Sequence, residues 1–465
     1  MSGYSNVTFD EIEIGATATA ERALSQTEVE ALLLVSGDVV PFHVEEGVDF
    51  DPDDLTVDAV AAEAIISGML ERRLPGPGTH IVSQQLEFNG RLSVGDQVRA
   101  VVTVREKRAE SRQVVFDCSV ESEGRDVLRG TVVVEAPTRK ATYAELERPE
   151  FIVRRNDVFA RLLKRCEPLA PVTCAVVHPC DGPSLMGVIE AARRELIVPV
   201  LIGPLSRIRS VAGKLGVDID RYRTIDTEHS HASAAAAVAL ARAGEVDTIM
   251  KGSLHTDELM STVVSSQSGL RTERRVSHVF VMDVPAYDRI LFVTDAAINI
   301  EPTLKEKADI AQNAIDLAHS LGIEAPKVAI LSAVETVNPD LRSTIDAASL
   351  CKMSDRGQIR GGVLDGPLAF DNAISELAAR TKSIKSPVAG VADILLVPNI
   401  EAGNMLAKQL LYFAGADAAG IVLGARVPVI LTSRADNVRM RIGSAAVGKL
   451  VVHAKRAASA ARAAT

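Results

Sequence analysis

Apolar positions recur at helical spacing along residues 57–70, where Val57, Val60, Ala61, Ala64, Ile65, Gly68 and Met69 form one stripe that PGPG at 75–78 stops. Four runs follow, at 79–88, 97–107, 113–121 and 127–135. Val98, Ala100, Val102 and Val104 alternate with polar residues, as do Val114, Phe116, Cys118 and Val120. That period predicts an antiparallel sheet with one buried face. A shorter helix over 25–35 begins with the capping-box pair Ser25 and Glu28. The 57–70 helix is the available cover for the sheet.

The pattern lapses between Pro137 and Arg155, a charged stretch with two prolines that reads as a linker. From Asn156 short apolar runs alternate with longer helical segments. Strands are expected at 173–177, 199–202, 248–250, 278–284, 290–294, 327–332, 362–364, 393–397, 420–422 and 429–431. Helices are expected at 231–243, 304–321, 340–351, 371–381 and 402–413. Repeated strand–helix units predict parallel sheets covered on both faces, divided between two lobes around a cleft.

A chain of 465 residues is too long for one core. With no Trp and 3% aromatics, the cores are built from Ala, Val, Leu and Ile, and stacking on nucleic acid is disfavoured. A net charge of −10 gives no overall attraction to nucleic acid or anionic membrane, so an anionic ligand needs local Arg and Lys. The five cysteines form no CxxC pair and read as reduced thiols, and no metal site is expected. The polar start MSGYSNVTFDEI lacks a signal-peptide run, and no apolar stretch approaches a bilayer span. A cytoplasmic location is expected.

Candidate chemistry concentrates at PVILTSRADNVRMR, residues 428–441. A buried strand ends at Thr432 and Ser433, and Asp436 or Asn437 can cap the helix that runs on to Lys455. Ser433 and Arg434 therefore sit at the carboxyl end of a strand beside a helix N-terminus, where anions bind. Arg434 adds a planar fork for two phosphate oxygens. Further polar turns end other strands: Lys251 with His255, Thr256 and Asp257 in KGSLHTDELM, Arg271 in GLRTERR, Asp295 and Asn299 in VTDAAINI, Asp365 and Asp371 in DGPLAFDNA, and Asn404 in PNIEAGNMLAK. In the front part, Asp38 and His43 sit five apart in SGDVVPFH, a carboxylate and an imidazole able to activate one water.

Residues 5–137, with SGDVVPFH, the LPGPGT turn and the SQQLEF strand, resemble the MaoC-like (R)-specific enoyl-CoA hydratases. The resemblance implies an α+β hot-dog domain over 1–137 with Asp38 and His43 as hydratase residues. Val40 stands where that family has Asn, and Ser67 where it usually has His. Carboxylates at 45, 46, 49, 51, 53 and 54 crowd the segment after the loop. Residues 156–465 resemble the phosphate acetyl/butyryltransferase family through MKGSLHTDELM, GLRTERRVSHVFVMD, LFVTDAAINI, DGPLAFDNAIS, PNIEAGNMLAKQL and LTSRAD. The whole chain is similar to the two-part hydratase/phosphate acetyltransferase proteins.

The second resemblance implies a two-lobed α/β domain similar to isocitrate dehydrogenase, with one lobe over about 156–287 plus 425–465, the other over 288–424, and a homodimer or higher homo-oligomer. It also implies acyl-CoA, acyl phosphate and inorganic phosphate as partners, with coenzyme A as substrate and no tightly bound cofactor. Arg434 is assigned to the phosphate, Ser433 to the thiol or oxyanion, and Asp436 to proton removal or helix capping. Lys251, His255, Thr256, Asp257, Arg271, Asp295 and Asn404 are substrate or coenzyme contacts. Met260 replaces an Arg of the acetyl enzymes, and LTSRAD looks closer to the butyryl branch. Two alternatives stand beside this reading. One is a transferase whose front domain only assembles the protein or binds acyl-CoA; the other is a non-catalytic acyl-CoA or acyl phosphate binder. A dehydrogenase lacks its GxGxxG after a strand.

Overall fold

The computed structural model describes residues 3–25, 28–29, 31–32, 56–57, 60–144, 158–432 and 436–464. They fall into two compact units, Met1–Arg155 and Asn156–Thr465.

The first unit contains β1 (Gly3–Ser5), β2 (Thr17–Ala23), β3 (Thr56–Val57), α1 (Val60–Arg72), β4 (His80–Phe88), β5 (Leu92–Ser93), β6 (Gln97–Arg108), β7 (Gln113–Ser122), β8 (Arg125–Glu135) and β9 (Thr142–Ala144). Five of these strands make an antiparallel sheet in the order β2-β6-β7-β8-β4. The alternating residues Val98, Ala100, Val102, Val104, Val114, Phe116, Cys118 and Val120 are buried, and Ala61, Ala62, Ile66, Met69 and Leu70 of α1 pack against them. The expected sheet over one helix is present. Sequence periodicity missed β2, because its residues alternate only between exposed and half-buried and present no apolar face. Ser25 and Glu28 make the reciprocal capping bonds: Ser25 N donates to Glu28 Oε2 at 3.1 Å, and Glu28 N to Ser25 Oγ at 3.4 Å.

The second unit begins with α2 (Val158–Cys166), β10 (Val172–Val177), α3 (Gly182–Arg193), β11 (Ile197–Gly203), α4 (Leu205–Leu215), β12 (Arg223–Asp226), α5 (Ser230–Ala243), β13 (Thr248–Lys251) and α6 (Thr256–Val263). Then come β14 (Ser277–Asp283), β15 (Leu291–Thr294), α7 (Leu304–Ser320), β16 (Lys327–Leu331), α8 (Arg342–Asp355), β17 (Val363–Leu368), α9 (Phe370–Ile374), α10 (Glu376–Thr381) and β18 (Ile394–Leu396). The unit closes with α11 (Ile400–Tyr412), β19 (Asp417–Leu423), β20 (Val429–Ile430) and α12 (Val438–Ala464).

Instead of two separate parallel sheets, one 11-stranded mixed sheet runs β12-β11-β10-β13-β20-β19-β14-β15-β18-β16-β17. Pairing is antiparallel at β20–β19, β19–β14 and β14–β15 and parallel elsewhere. Connector length is the reason. Residues 284–290 and 424–428 are too short for a parallel crossover, so they can only turn back as hairpins. Polar, edge-placed β12 (Arg-Thr-Ile-Asp) has no apolar run and escaped the sequence pattern.

The two parallel sets therefore point in opposite directions. Their ends meet at one row across the sheet, Met250, Ile430, Ile421, Val279 and Thr294. Three strand spacings, roughly 14 Å, separate β20 from β15 along that row. A reversal of strand order opens a crevice beyond the strand ends, which is where α/β sheets place their ligands. No described helix is long and apolar enough to cross a membrane.

Candidate functional site

β13 and β20 end side by side, with Met250 opposite Ile430. Beyond the ladder, Lys251 Nζ donates to Thr432 O at 3.1 Å and Thr432 Oγ1 donates to Lys251 O at 3.3 Å. Lys251 is only 3% exposed, so its ammonium braces the corner from within. On the far side, Asn437 Oδ1 accepts from Met440 N at 2.9 Å. Asn437 is thus the cap of α12, and the half-buried Asp436 lies just outside the helix.

Arg441, 4% exposed, reaches back from the first turn of α12. Its Nη1 donates to Thr432 Oγ1 at 2.8 Å and its Nε to the Asp436 carbonyl at 3.3 Å. One buried guanidinium therefore holds Thr432 and Asp436, the described residues on either side of Ser433 and Arg434. Those two residues lie outside the described residues, as do Asp38 and His43 of the front unit. Burial pulls the Arg441 pKa down, and the carboxylates of Asp436 and Asp181 oppose that shift.

The loop after β10 supports the same corner. Gly252 N and Ser253 N donate to Val177 O and His178 O, and Ser253 Oγ donates to His178 O at 2.9 Å. These bonds seat KGSLHT against the end of β10. His178 is buried, with Nδ1 3.4 Å from Ser233 Oγ, and burial followed by the nearby Arg207 charge lowers its pKa, keeping the ring neutral near pH 7. Asp181 caps α3 by accepting from Ser184 N at 2.7 Å. Sequence reasoning missed Arg441, His178 and Asp181. An apolar run followed by HPCDGPS, with an Asp cap and Pro at the helix start, was the available signal for the last two. Nothing in the sequence tells which arginine of RMR turns inward.

The other predicted residues divide. His255, Thr256 and Asp257 stand at the start of α6, with His255 and Asp257 exposed. Arg271 is exposed and bridges Ala425 on the run into β14. Asp295 follows β15 on the opposite side of the shared row and is 3% exposed. Its carboxylate accepts from Ala297 N at 2.9 Å, Ile298 N at 3.0 Å, Asn299 N at 3.2 Å and Asn299 Nδ2 at 2.6 Å. Burial nonetheless raises its pKa. Asn404 Nδ2 donates to Ala296 O at 3.2 Å, joining α11 to this turn. Lys251 and Asp436 thus flank the corner, whereas Asp295 and Asn404 pin a turn across the crevice.

The model of the family described as "Phosphate acetyl/butaryl transferase" matches residues 228–448. A phosphate acetyltransferase of Rhizobium meliloti is 59% identical over 303 residues, covering 65% of this chain and 96% of that protein. A phosphate butyryltransferase of Clostridium beijerinckii is 43% identical over 293 residues, covering 63% of this chain and 97% of that protein. The crystal structure of a branched-chain phosphotransacylase from Enterococcus faecalis V583 matches at a TM-score of 0.53 and 29% identity, covering 61% of this chain and 99% of that one. Through its C-terminal part, the chain belongs to the phosphate acetyl/butyryl transferase family.

Proposed function

We propose that the C-terminal unit transfers a short-chain acyl group between coenzyme A and inorganic phosphate: acyl-CoA + phosphate ⇌ acyl phosphate + CoA. What supports the reading is the pair Thr432 and Asp436, both held by one buried arginine where two parallel strands end. Arg434 takes the phosphate, and Ser433 hydrogen-bonds the thiol or the developing oxyanion. The exposed His255 and Arg271 serve as coenzyme contacts. Lys251, Asp295 and Asn404 act by holding the walls of the crevice. The deciding assay is phosphate-dependent release of free CoA from acetyl-, propionyl- and butyryl-CoA. Turnover of at least one supports the transferase; saturable binding of all three without turnover replaces it with a binding protein.

Asp436 is assigned to removing the thiol proton. A thiol of pKa near ~8.5 costs roughly 2 kcal/mol to ionise at pH 7, so the base supplies at most about thirtyfold. Because Asn437 caps α12, Asp436→Asn leaves the cap in place. In the direction that consumes CoA, the variant is expected to be about tenfold slower at pH 7. The deficit closes as pH rises past ~9, where the free thiol ionises unaided. A variant as fast as the parent at pH 7 makes Asp436 structural.

For the front unit we propose an (R)-specific enoyl-CoA hydratase in which Asp38 and His43 share one water. The full chain is expected to hydrate crotonyl-CoA, and Asp38→Ala to abolish that activity while leaving phosphate-dependent CoA release unchanged. A parent chain without crotonyl-CoA turnover would leave this unit an assembly or acyl-CoA-binding module.

A further inference from the structure

A groove of about 1030 Å³ lies between the C-terminal half of α12 and α7, over the turn that joins β19 to β20. Four basic side chains line it, Arg274, Arg426, Lys455 and Arg456, against the single carboxylate of Asp316. In a chain of net charge −10, that balance is a local reversal of sign. Arg274 pairs with Asp316 and Arg456 with Asp247. Arg426 and Lys455 form no ion pair with any described carboxylate.

Lys455 is exposed, and partial desolvation of its amine first, then the charge of Arg274, draw its pKa down, with only Asp316 opposing them. A cation in that position is stabilised by a further anion. The groove walls are largely aliphatic, from Leu317, Leu423 and Val451, and His319 is the one ring among its lining residues. Gly424 (φ +85°) of the β19–β20 turn also lines the groove, and its lack of a Cβ lets the turn pack against the Arg275 backbone. The groove is separate from the 432–436 corner. Along α12, residues 438 to 455 span roughly 25 Å at 1.5 Å per residue.

We propose that this groove binds a small, multiply charged phosphorylated compound, held by Arg426 of the β19–β20 turn and Lys455 of α12. The guanidinium of Arg426 suits two phosphate oxygens, and the amine of Lys455 supplies a point charge in the same groove. The ligand would tie the C-terminal half of α12 to the β19–β20 turn, and α12 runs unbroken from there to the residue after Asn437. Such a compound would be an effector, with no atoms entering the acyl transfer.

The test is calorimetric titration of inorganic pyrophosphate into the full chain held in saturating CoA, with citrate titrated in parallel. Saturable pyrophosphate binding is expected, weakened at least tenfold in R426E/K455E and about threefold in the milder K455Q. Acyl transfer without pyrophosphate should stay within twofold of the parent in both variants, which also reports that they fold. Equal affinity in parent and R426E/K455E would move the binding to the transfer corner and overturn the proposal. So would the absence of saturable binding. Citrate binding as tightly as pyrophosphate would overturn the assignment to phosphate.

Discussion

Arg434→Lys is expected to lower kcat/KM for acyl phosphate formation at least about tenfold, equivalent to roughly 1.4 kcal/mol, with the fold intact. The substitution keeps the charge, so simple Coulomb attraction predicts little change. What is lost is geometry. A guanidinium presents two parallel donors to two oxygens of one phosphoryl group, whereas an ammonium is a hydrated point charge on a flexible stem. During transfer, charge shifts between the phosphate oxygens and the carbonyl oxygen, and fixed donors aimed at that charge contribute more than proton removal does. The neighbouring turn ends are held independently, Thr432 by Lys251 and Arg441 and Asp436 by Arg441, so melting temperature should be unchanged. Steady-state rates with acyl-CoA and phosphate, and in the reverse direction, measure the effect. A lysine variant with full activity would remove Arg434 from the mechanism.

Much of the second unit was legible because buried parallel strands are short apolar runs. The expected strands at 173–177, 327–332 and 393–397 lie within two residues of β10, β16 and β18 at either end. The direction of β14 and β19 was not legible, since apolar runs look alike in parallel and antiparallel central strands. Only the length of the links at 284–290 and 424–428 carried that information. The expected 371–381 helix is in fact two, α9 and α10, broken at Ser375, which leaves the helical region and caps the second through its hydroxyl. In the site, the corner could be read from strand, turn and cap residues. Its support could not: Lys251 reads as a substrate or coenzyme contact and nothing marks Arg441, and only the packing brings both to Thr432. Capping by Asp436 or Asn437 was open in the sequence, and Asn437 is the one whose carboxamide meets Met440 N.

That hidden support has its own test, through a residue that touches no substrate. Gly187 sits inside α3 against Arg441, where an added Cβ would lie 2.6 Å from Arg441 Cδ and 3.0 Å from its Cβ. Gly187→Ala must therefore displace the arginine stem, and with it the guanidinium that holds Thr432 Oγ1 and the Asp436 carbonyl. Alanine in a helix interior is favoured over glycine by about 1 kcal/mol, so intrinsic helix stability works against any loss from unfolding. A shift of about 1 Å in a reacting group costs on the order of a hundredfold in rate. The expected result is a kcat ten- to a hundredfold lower, KM within about threefold, and little change in melting temperature. Arg441→Met, which keeps an unbranched apolar stem and removes the guanidinium with both hydrogen bonds, should lose at least as much activity. Its stability cost is modest, because a desolvated charge leaves with the bonds. The two changes act on one element, so their effects should not add. With no guanidinium left to displace, Gly187→Ala in the Arg441→Met background should cost little further activity. If the two losses multiply instead, Gly187 acts by some other route and the arginine is not the clamp on the transfer turn.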